Sequence, residues 1–313
     1  MRQNRSGGID RAKKEKTVKK KSLPAKLWGI IYPPLWYMAA QVVVSFVFSV
    51  AAMIIAYTII ASGRVSISSG TIYEAASEAL TDFSMWIVSI SAAITAPWMI
   101  YAFSNDKKNR ELSGEKIRYE KVGVSKYLLI IPLAIVAMYA GSYLVSIMQE
   151  FLPDWFSAGY DAAESTLYSG SILSQVVAIV IAAPLVEEYI FRGLVYNRVT
   201  ALSNKTAGMI ISALLFGIFH MNFVQGTYGF LIGLLLVYVY DKYKTMAAPV
   251  IFHMSANGFS LLVSVLFSDS SSADSESPFF LISMIGLCVV LCIFTAGFLL
   301  LINQKVNPKL KEG

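Results

Sequence analysis

Charged residues make up only 15% of the 313-residue chain, well below the roughly 25% usual for soluble domains. That shortage, with 56% hydrophobic residues and a mean hydropathy of +0.59, excludes an ordinary soluble domain and points to a polytopic membrane protein. Cysteine is nearly absent: Cys288 and Cys292 stand four apart in the last apolar run and read as small packing residues, not as a disulfide framework or a ligand pair. The net charge of +6 is no nucleic-acid signature, because the basic residues are segregated by loop. Histidine is scarcest of all, with two in the chain. Three protease signatures are missing as well. There is no His-Glu-x-x-His for a zinc helix, no Gly-x-Ser-Gly nucleophile loop, and no Gly-x-Gly-Asp partner for Asp161 or Asp241, which fall at or beyond span ends.

What is present is a succession of apolar runs, read as an all-α membrane protein with about eight transmembrane helices. The expected spans are 35–61, 83–103 with a kink at Pro97, 127–147, 172–201 with a bend at Pro184, 207–223, a short 228–240, 246–267 and 279–302. The run from Leu35 is too long for the core of a signal peptide. Tyr32, Trp36 and Tyr37 are expected at the interface of the first span. Gly229 and Gly233 form a small-xxx-small pair suited to close helix packing. The organisation divides into a basic tail (1–26), an N-terminal membrane region of three spans (27–170), a membrane core (171–268), and a last span with a short C-terminus (269–313).

Loop charges set the orientation. The tail carries ten Lys/Arg, residues 104–126 carry seven, and residues 148–171 carry none beside four acids. Basic loops alternate with acidic or uncharged ones down the chain, so both termini are expected in the cytoplasm. The tail suits an anionic lipid surface, and the aromatic-rich stretch 148–171 suits an interfacial helix on the outer face. No eukaryotic targeting signal is evident, which is compatible with a bacterial plasma membrane.

The membrane core holds the chemistry. Glu187 and Glu188 are adjacent carboxylates within an apolar segment, where each costs a few kcal/mol or about that unless paired or hydrated. Glu188 and Arg192 are four apart and share a helix face, so they can pair; Glu187 points about 100° away and is left available. His220 follows Phe216 by four residues, which lets the Phe216 ring support the imidazole. His253 and Asn257 are likewise four apart on one face. Counted at about 1.5 Å per residue from the cytoplasmic helix ends, these groups can meet at one depth inside the membrane. Taken singly, an ion pair or a lone intramembrane histidine is as readily a packing device. Together, both histidines and two buried acids lie within 71 residues on three neighbouring spans.

Two hydrolytic chemistries fit the set. Glu187 can take a proton from a water held by His220, while His253 and Asn257 donate to the oxyanion. Alternatively Glu187, His220 and His253 can hold a Zn²⁺ that acidifies its water, with the remaining glutamate as base. A neutral Asn257 suits an oxyanion donor better than a zinc ligand, which tilts the reading toward a metal-independent reaction.

Glu187-Glu188-x-x-x-Arg192, Phe216-x-x-x-His220 and His253-x-x-x-Asn257, in that order on successive helices, resemble the three motifs of the CPBP family (CAAX protease and bacteriocin-processing, or Abi), which includes the Ras-converting CAAX endoprotease. The resemblance covers about residues 170–268. It implies an eight-helix intramembrane endopeptidase acting on a membrane-associated peptide or protein. It assigns Glu187 and His220 to water activation, His253 and Asn257 to the oxyanion, and Glu188 and Arg192 to holding the geometry. The rival readings are a non-catalytic member that confers bacteriocin immunity or binds a peptide partner, and a transporter with Glu187 as a proton relay. The transporter calls for an internal repeat, and none is evident.

Cysteines introduced at Ser77, Ser157 and Ser272 are expected to react with an impermeant thiol reagent applied to intact cells, and one at Ser113 is expected to stay unlabelled. Outside labelling at Ser113 would sink the eight-span topology.

Overall fold

The fold is described from a computed structural model that covers residues 22–62, 69–115, 117, 119–153, 159–160, 163, 166, 170–267 and 278–309. Most of the basic tail, half of the aromatic stretch expected as an interfacial helix, and the acidic loop 268–277 lie outside the described residues. Helices dominate: α1 (Leu23–Ala61), α2 (Ser69–Leu112), α3 (Ile130–Phe151), α4 (Ile172–Leu202), α5 (Lys205–Phe219), α6 (Phe223–Tyr243), α7 (Ala247–Phe267) and α8 (Pro278–Lys305). Seven of these contain runs long and apolar enough to cross a membrane, and α5, at 15 residues, is the shorter eighth. Large apolar side chains such as Val42, Phe46, Ile94, Leu266, Ile282 and Ile293 are exposed, a surface suited to lipid rather than water. The protein is an integral membrane protein of all-α class.

Several boundaries differ from the sequence reading. α1 starts at Leu23, inside the expected tail, and runs through Pro33 and Pro34. α2 extends well past both expected ends and continues through Pro97. The largest difference falls at the α5–α6 hairpin. α5 stops at Phe219, so His220 is not inside the fifth helix but closes its C-terminus. Met221 takes a left-handed φ of 61°, and Asn222 caps α6, which starts at Phe223, five residues before the expected 228. The reason is capping. The Asn222 side chain accepts from the Gln225 N–H at 2.7 Å and donates to the Gln225 side chain at 2.8 Å, a reciprocal arrangement that satisfies donors at a helix start.

α4 is the central element and touches α1, α2, α5, α6 and α7. α3 packs between α6, α7 and α8, which leaves α8 on the outside and away from the centre. From Ile190 to Tyr196 every residue of α4 is buried. α4 is also irregular. Val176–Ala182 and Tyr189–Tyr196 are π-helical, flanking a short α-helical piece, Ala183–Glu188. Pro184, where a bend was expected, stands at the start of the α-helical piece that follows the first of these wide turns. Wide turns free backbone carbonyls, and these must find donors in an apolar surround. They do so through side chains: Ser212 donates to the Phe191 carbonyl at 2.8 Å, and the Asn197 amide donates to the carbonyls of Arg192 and Gly193 at 2.9 Å each.

At the end bearing the basic loops, Arg198 of α4 ties three helices together. It pairs with Asp106 of α2 at 2.6 Å, donates to the Gly29 carbonyl of α1, and lies over the Tyr32 ring. α5 and α6 approach along glycines. A methyl group at Gly233 would lie 3.0 Å from the Ala213 Cα, and one at Gly229 would lie 3.6 Å from the Gly217 Cα. One at Gly217 would lie 2.4 Å from the Gly226 carbonyl oxygen. Backbone cannot yield as a side chain does. Gly217→Ala should therefore cost about 1–3 kcal/mol or more through overpacking, read as a lower Tm in detergent. Gly286→Ala, in open space on α8, should leave the Tm unchanged; equal Tm values for the two variants would contradict the close approach.

Candidate active site

The second π-helical turn of α4 and the glycine seam of α6 bring Arg192 and Gly233 together. Arg192 is fully buried, and its Nη2 donates to the Gly233 carbonyl at 3.1 Å. Its Nη1 donates to Glu188 Oε1 at 3.0 Å, in an ion pair with both side chains at 0% exposure. The same Glu188 oxygen lies 2.8 Å from His253 Nδ1, which spans the gap to α7. An Nδ1–H donated to a carboxylate leaves Nε2 as the working nitrogen of His253. That Nε2 stands 3.9 Å from Glu187 Oε2. Glu187 and His253 are 8% and 7% exposed, so each keeps a small opening while Glu188 has none.

Phe216 organises the two imidazoles. Its ring is edge-on to His220 at 5.0 Å and to His253 at 5.7 Å between centroids, and the Arg192 guanidinium lies 4.5 Å above it. Its carbonyl lies 2.9 Å from His220 Nδ1. A carbonyl can only accept, so His220 donates from Nδ1 and its Nε2 carries the lone pair. The sequence reading gave Phe216 a supporting ring; the backbone carbonyl that selects the tautomer could not be foreseen from side-chain spacing.

Asn257 is drawn elsewhere first. Its Nδ2 donates to the Ile179 carbonyl at 2.9 Å. In the π-helical stretch the Ala183 N–H bonds back to Ala178, so it does not serve Ile179. The next candidate donor, residue 184, is a proline with no N–H. Ile179 is thus an orphaned carbonyl, and Asn257 repairs it with one of its two amide hydrogens.

A cavity of about 300 Å³ joins these groups. Glu187, His220, His253 and Asn257 all line it, as do Tyr37 and Gln41 of α1 and Met138 of α3. The expected membrane core 171–268 therefore does not enclose the cavity alone. Tyr37, expected at the lipid interface, is instead buried at 0% exposure and stacks on Phe219 at 5.6 Å, whereas its neighbour Trp36 is 53% exposed. Adjacent residues of a helix point about 100° apart, and apolar flanks on both sides conceal which of them turns inward.

The three residues weighed as Zn²⁺ ligands, Glu187, His220 and His253, line this one cavity. Among the described residues, no three His, Cys, Asp or Glu side chains gather to hold an ion. Both imidazoles turn Nδ1 to a protein partner, His253 to Glu188 and His220 to the Phe216 carbonyl, which leaves both Nε2 atoms facing the cavity chemistry.

Removing one partner of the buried pair leaves the other charge uncompensated, a change worth about 3–5 kcal/mol. Glu188→Gln and Arg192→Met should each lower the Tm in detergent markedly, and the double variant should lose less than the sum. Additive losses would mean that the two side chains are not coupled.

Residues 169–259 match the family described as Type II CAAX prenyl endopeptidase Rce1-like. Over 110 residues the chain is 29% identical to the membrane-embedded CAAX protease MroQ of Staphylococcus aureus (strain USA300), an alignment covering 32% of this chain and 43% of that relative. No solved structure matches. Together these matches support the CPBP/CAAX-protease family that the three motifs resemble, over the segment that carries those motifs.

Proposed function

We propose that this protein is an intramembrane endopeptidase that hydrolyses a peptide bond of a membrane-associated peptide or protein, with a water activated by Glu187 and His220. The observation that carries the reading is the shared cavity: one carboxylate with a small opening, two imidazoles and an amide line a single enclosed space within the helix bundle. A family match over the same residues and a relative described as a membrane-embedded CAAX protease support it.

The chemistry follows from the hydrogen-bond directions. A water in the cavity donates one hydrogen to the Glu187 carboxylate and the other to His220 Nε2, and its lone pair is then free to attack. As it adds to the peptide carbonyl, Glu187 takes the proton and the carbonyl oxygen becomes an oxyanion. With Nε2 protonated, His253 donates to that oxygen, joined by the second amide hydrogen of Asn257. When the tetrahedral intermediate collapses, the C–N bond breaks and Glu187 returns its proton to the leaving nitrogen. Glu188 and Arg192 touch no reacting atom in this scheme; they hold His253 in place. No step passes through a metal.

The substrate is a membrane-associated chain that reaches the cavity from the bilayer or from the cytoplasmic side. The proposed setting is a bacterial plasma membrane with both termini in the cytoplasm, where the basic tail rests on anionic lipid.

Glu187→Gln keeps size and removes basicity. It should keep the wild-type Tm and cut turnover by about 10²–10⁴-fold. New peptide termini in membranes from cells carrying wild type, and absent with Glu187→Gln, would identify the cleavage site. If the two membrane peptide sets are identical, the protein is not a protease of this kind.

A further inference from the structure

Among the cavity walls, Tyr37 is the residue that no motif accounts for. It comes from α1, far outside the matched segment 169–259. Its side chain is fully buried, yet its hydroxyl has no hydrogen-bond partner among the described residues. Gln41, one turn further along α1, also lines the cavity and lies close enough to interact with that hydroxyl, but not in the geometry of a hydrogen bond. A buried hydroxyl without a partner costs about 1–3 kcal/mol. Phenylalanine would fill the same space without that cost, so packing does not explain the oxygen.

Its position is well defined. Tyr37 lies fourteen residues into α1, about 21 Å from the helix start at 1.5 Å per residue. Glu187 lies fifteen residues from the cytoplasmic end of α4, about 22 Å by the same count. The two stand at one depth, and the phenol is within electrostatic range of the Glu187 carboxylate. The ring is held from two sides. It stacks on Phe219, the residue next to His220. Two turns earlier, α1 is fixed by Arg198, which donates to the Gly29 carbonyl and pairs with Asp106.

The oxyanion side of the site draws on one hydrogen from each of two residues and has room for a third donor. Asn257 has committed one amide hydrogen to the Ile179 carbonyl, and the Nδ1 of His253 is committed to Glu188. A peptide entering the cavity brings a carbonyl oxygen that needs a donor, and Tyr37 has a donor that needs an acceptor.

We propose that Tyr37 is a further catalytic residue, whose hydroxyl donates a hydrogen bond to the carbonyl oxygen of the scissile peptide and holds it as negative charge develops. The assignment rests on the endopeptidase reading above. It extends the site to α1, so that the catalytic cavity closes only when the N-terminal membrane region packs against the α4–α7 core.

The test is Tyr37→Phe in the full-length protein in detergent, beside wild type and Glu187→Gln. The substrate is a quenched fluorescent peptide built on the cleavage site that the membrane comparison returns. Expected is a Tm equal to or above wild type, since no hydrogen bond is lost in the resting protein. Turnover is expected to fall about 10²-fold, in the range seen for loss of an oxyanion donor, with the loss in kcat and not in KM. Wild-type turnover for Tyr37→Phe overturns the proposal while leaving the endopeptidase reading intact, provided Glu187→Gln is inactive. A fall in Tm also overturns it, because the hydroxyl then serves the fold. A loss confined to KM overturns the oxyanion role. Activity in Glu187→Gln, or a comparison that returns no cleavage site, removes the reading on which the proposal stands.

Discussion

Two opposite charges with no exposure at all, Glu188 and Arg192, set the terms for the rest of the bundle. Neither can be hydrated where it lies, and an unpaired charge there would be costly. Each therefore recruits neighbours. Arg192 takes the Gly233 carbonyl and the face of Phe216; Glu188 takes the Nδ1 of His253. Those three contacts draw α4, α5, α6 and α7 onto one point. The glycines of α6 follow from the same demand, because α6 must run close beside α5 for its backbone oxygen to reach a guanidinium on α4. What surrounds the pair is then fixed closely enough that Glu187, the adjacent carboxylate, can line a cavity with its Oε2 3.9 Å from His253 Nε2.

Backbone irregularity has a matching logic. α4 carries two π-helical stretches around its carboxylates, and wide turns of this kind recur at functional sites. In an apolar surround each freed carbonyl needs a donor, and Ser212, Asn197 and Asn257 supply them. Asn257 thus serves the fold with one hydrogen and, in the proposed reaction, the substrate with the other. Polar residues in membrane helices need not be either structural or functional, because an amide group has two donors to share.

Much of this was legible in the chain. Apolar runs separated by charged loops gave eight helices, since spanning a bilayer demands length and hydrophobicity that a sequence displays directly. The Glu188–Arg192 pair followed from a spacing of four, because helix geometry fixes which residues share a face. Both histidines stood out through rarity alone. The hairpin between α5 and α6 was misjudged, although its signal was present: Asn222 with Gln225 three residues on is a helix-start pattern, hidden within a run that looked like a turn.

By composition and spacing alone, then, the sequence determined that this is an all-α membrane protein, and that its acids, histidines and amide occur at intervals able to share helix faces. Tertiary structure alone decided which groups meet. It set His220 on the Phe216 carbonyl, turned His253 Nδ1 toward Glu188, bound Asn257 to Ile179, and swung Tyr37 of α1 inward while Trp36 stayed outside. The reason is physical. Lipid is as apolar as a protein interior, so hydropathy around a membrane helix does not reveal its inward face. Only the packing of one helix on another, steered by a few buried polar groups and the glycines that let backbones touch, selects that face.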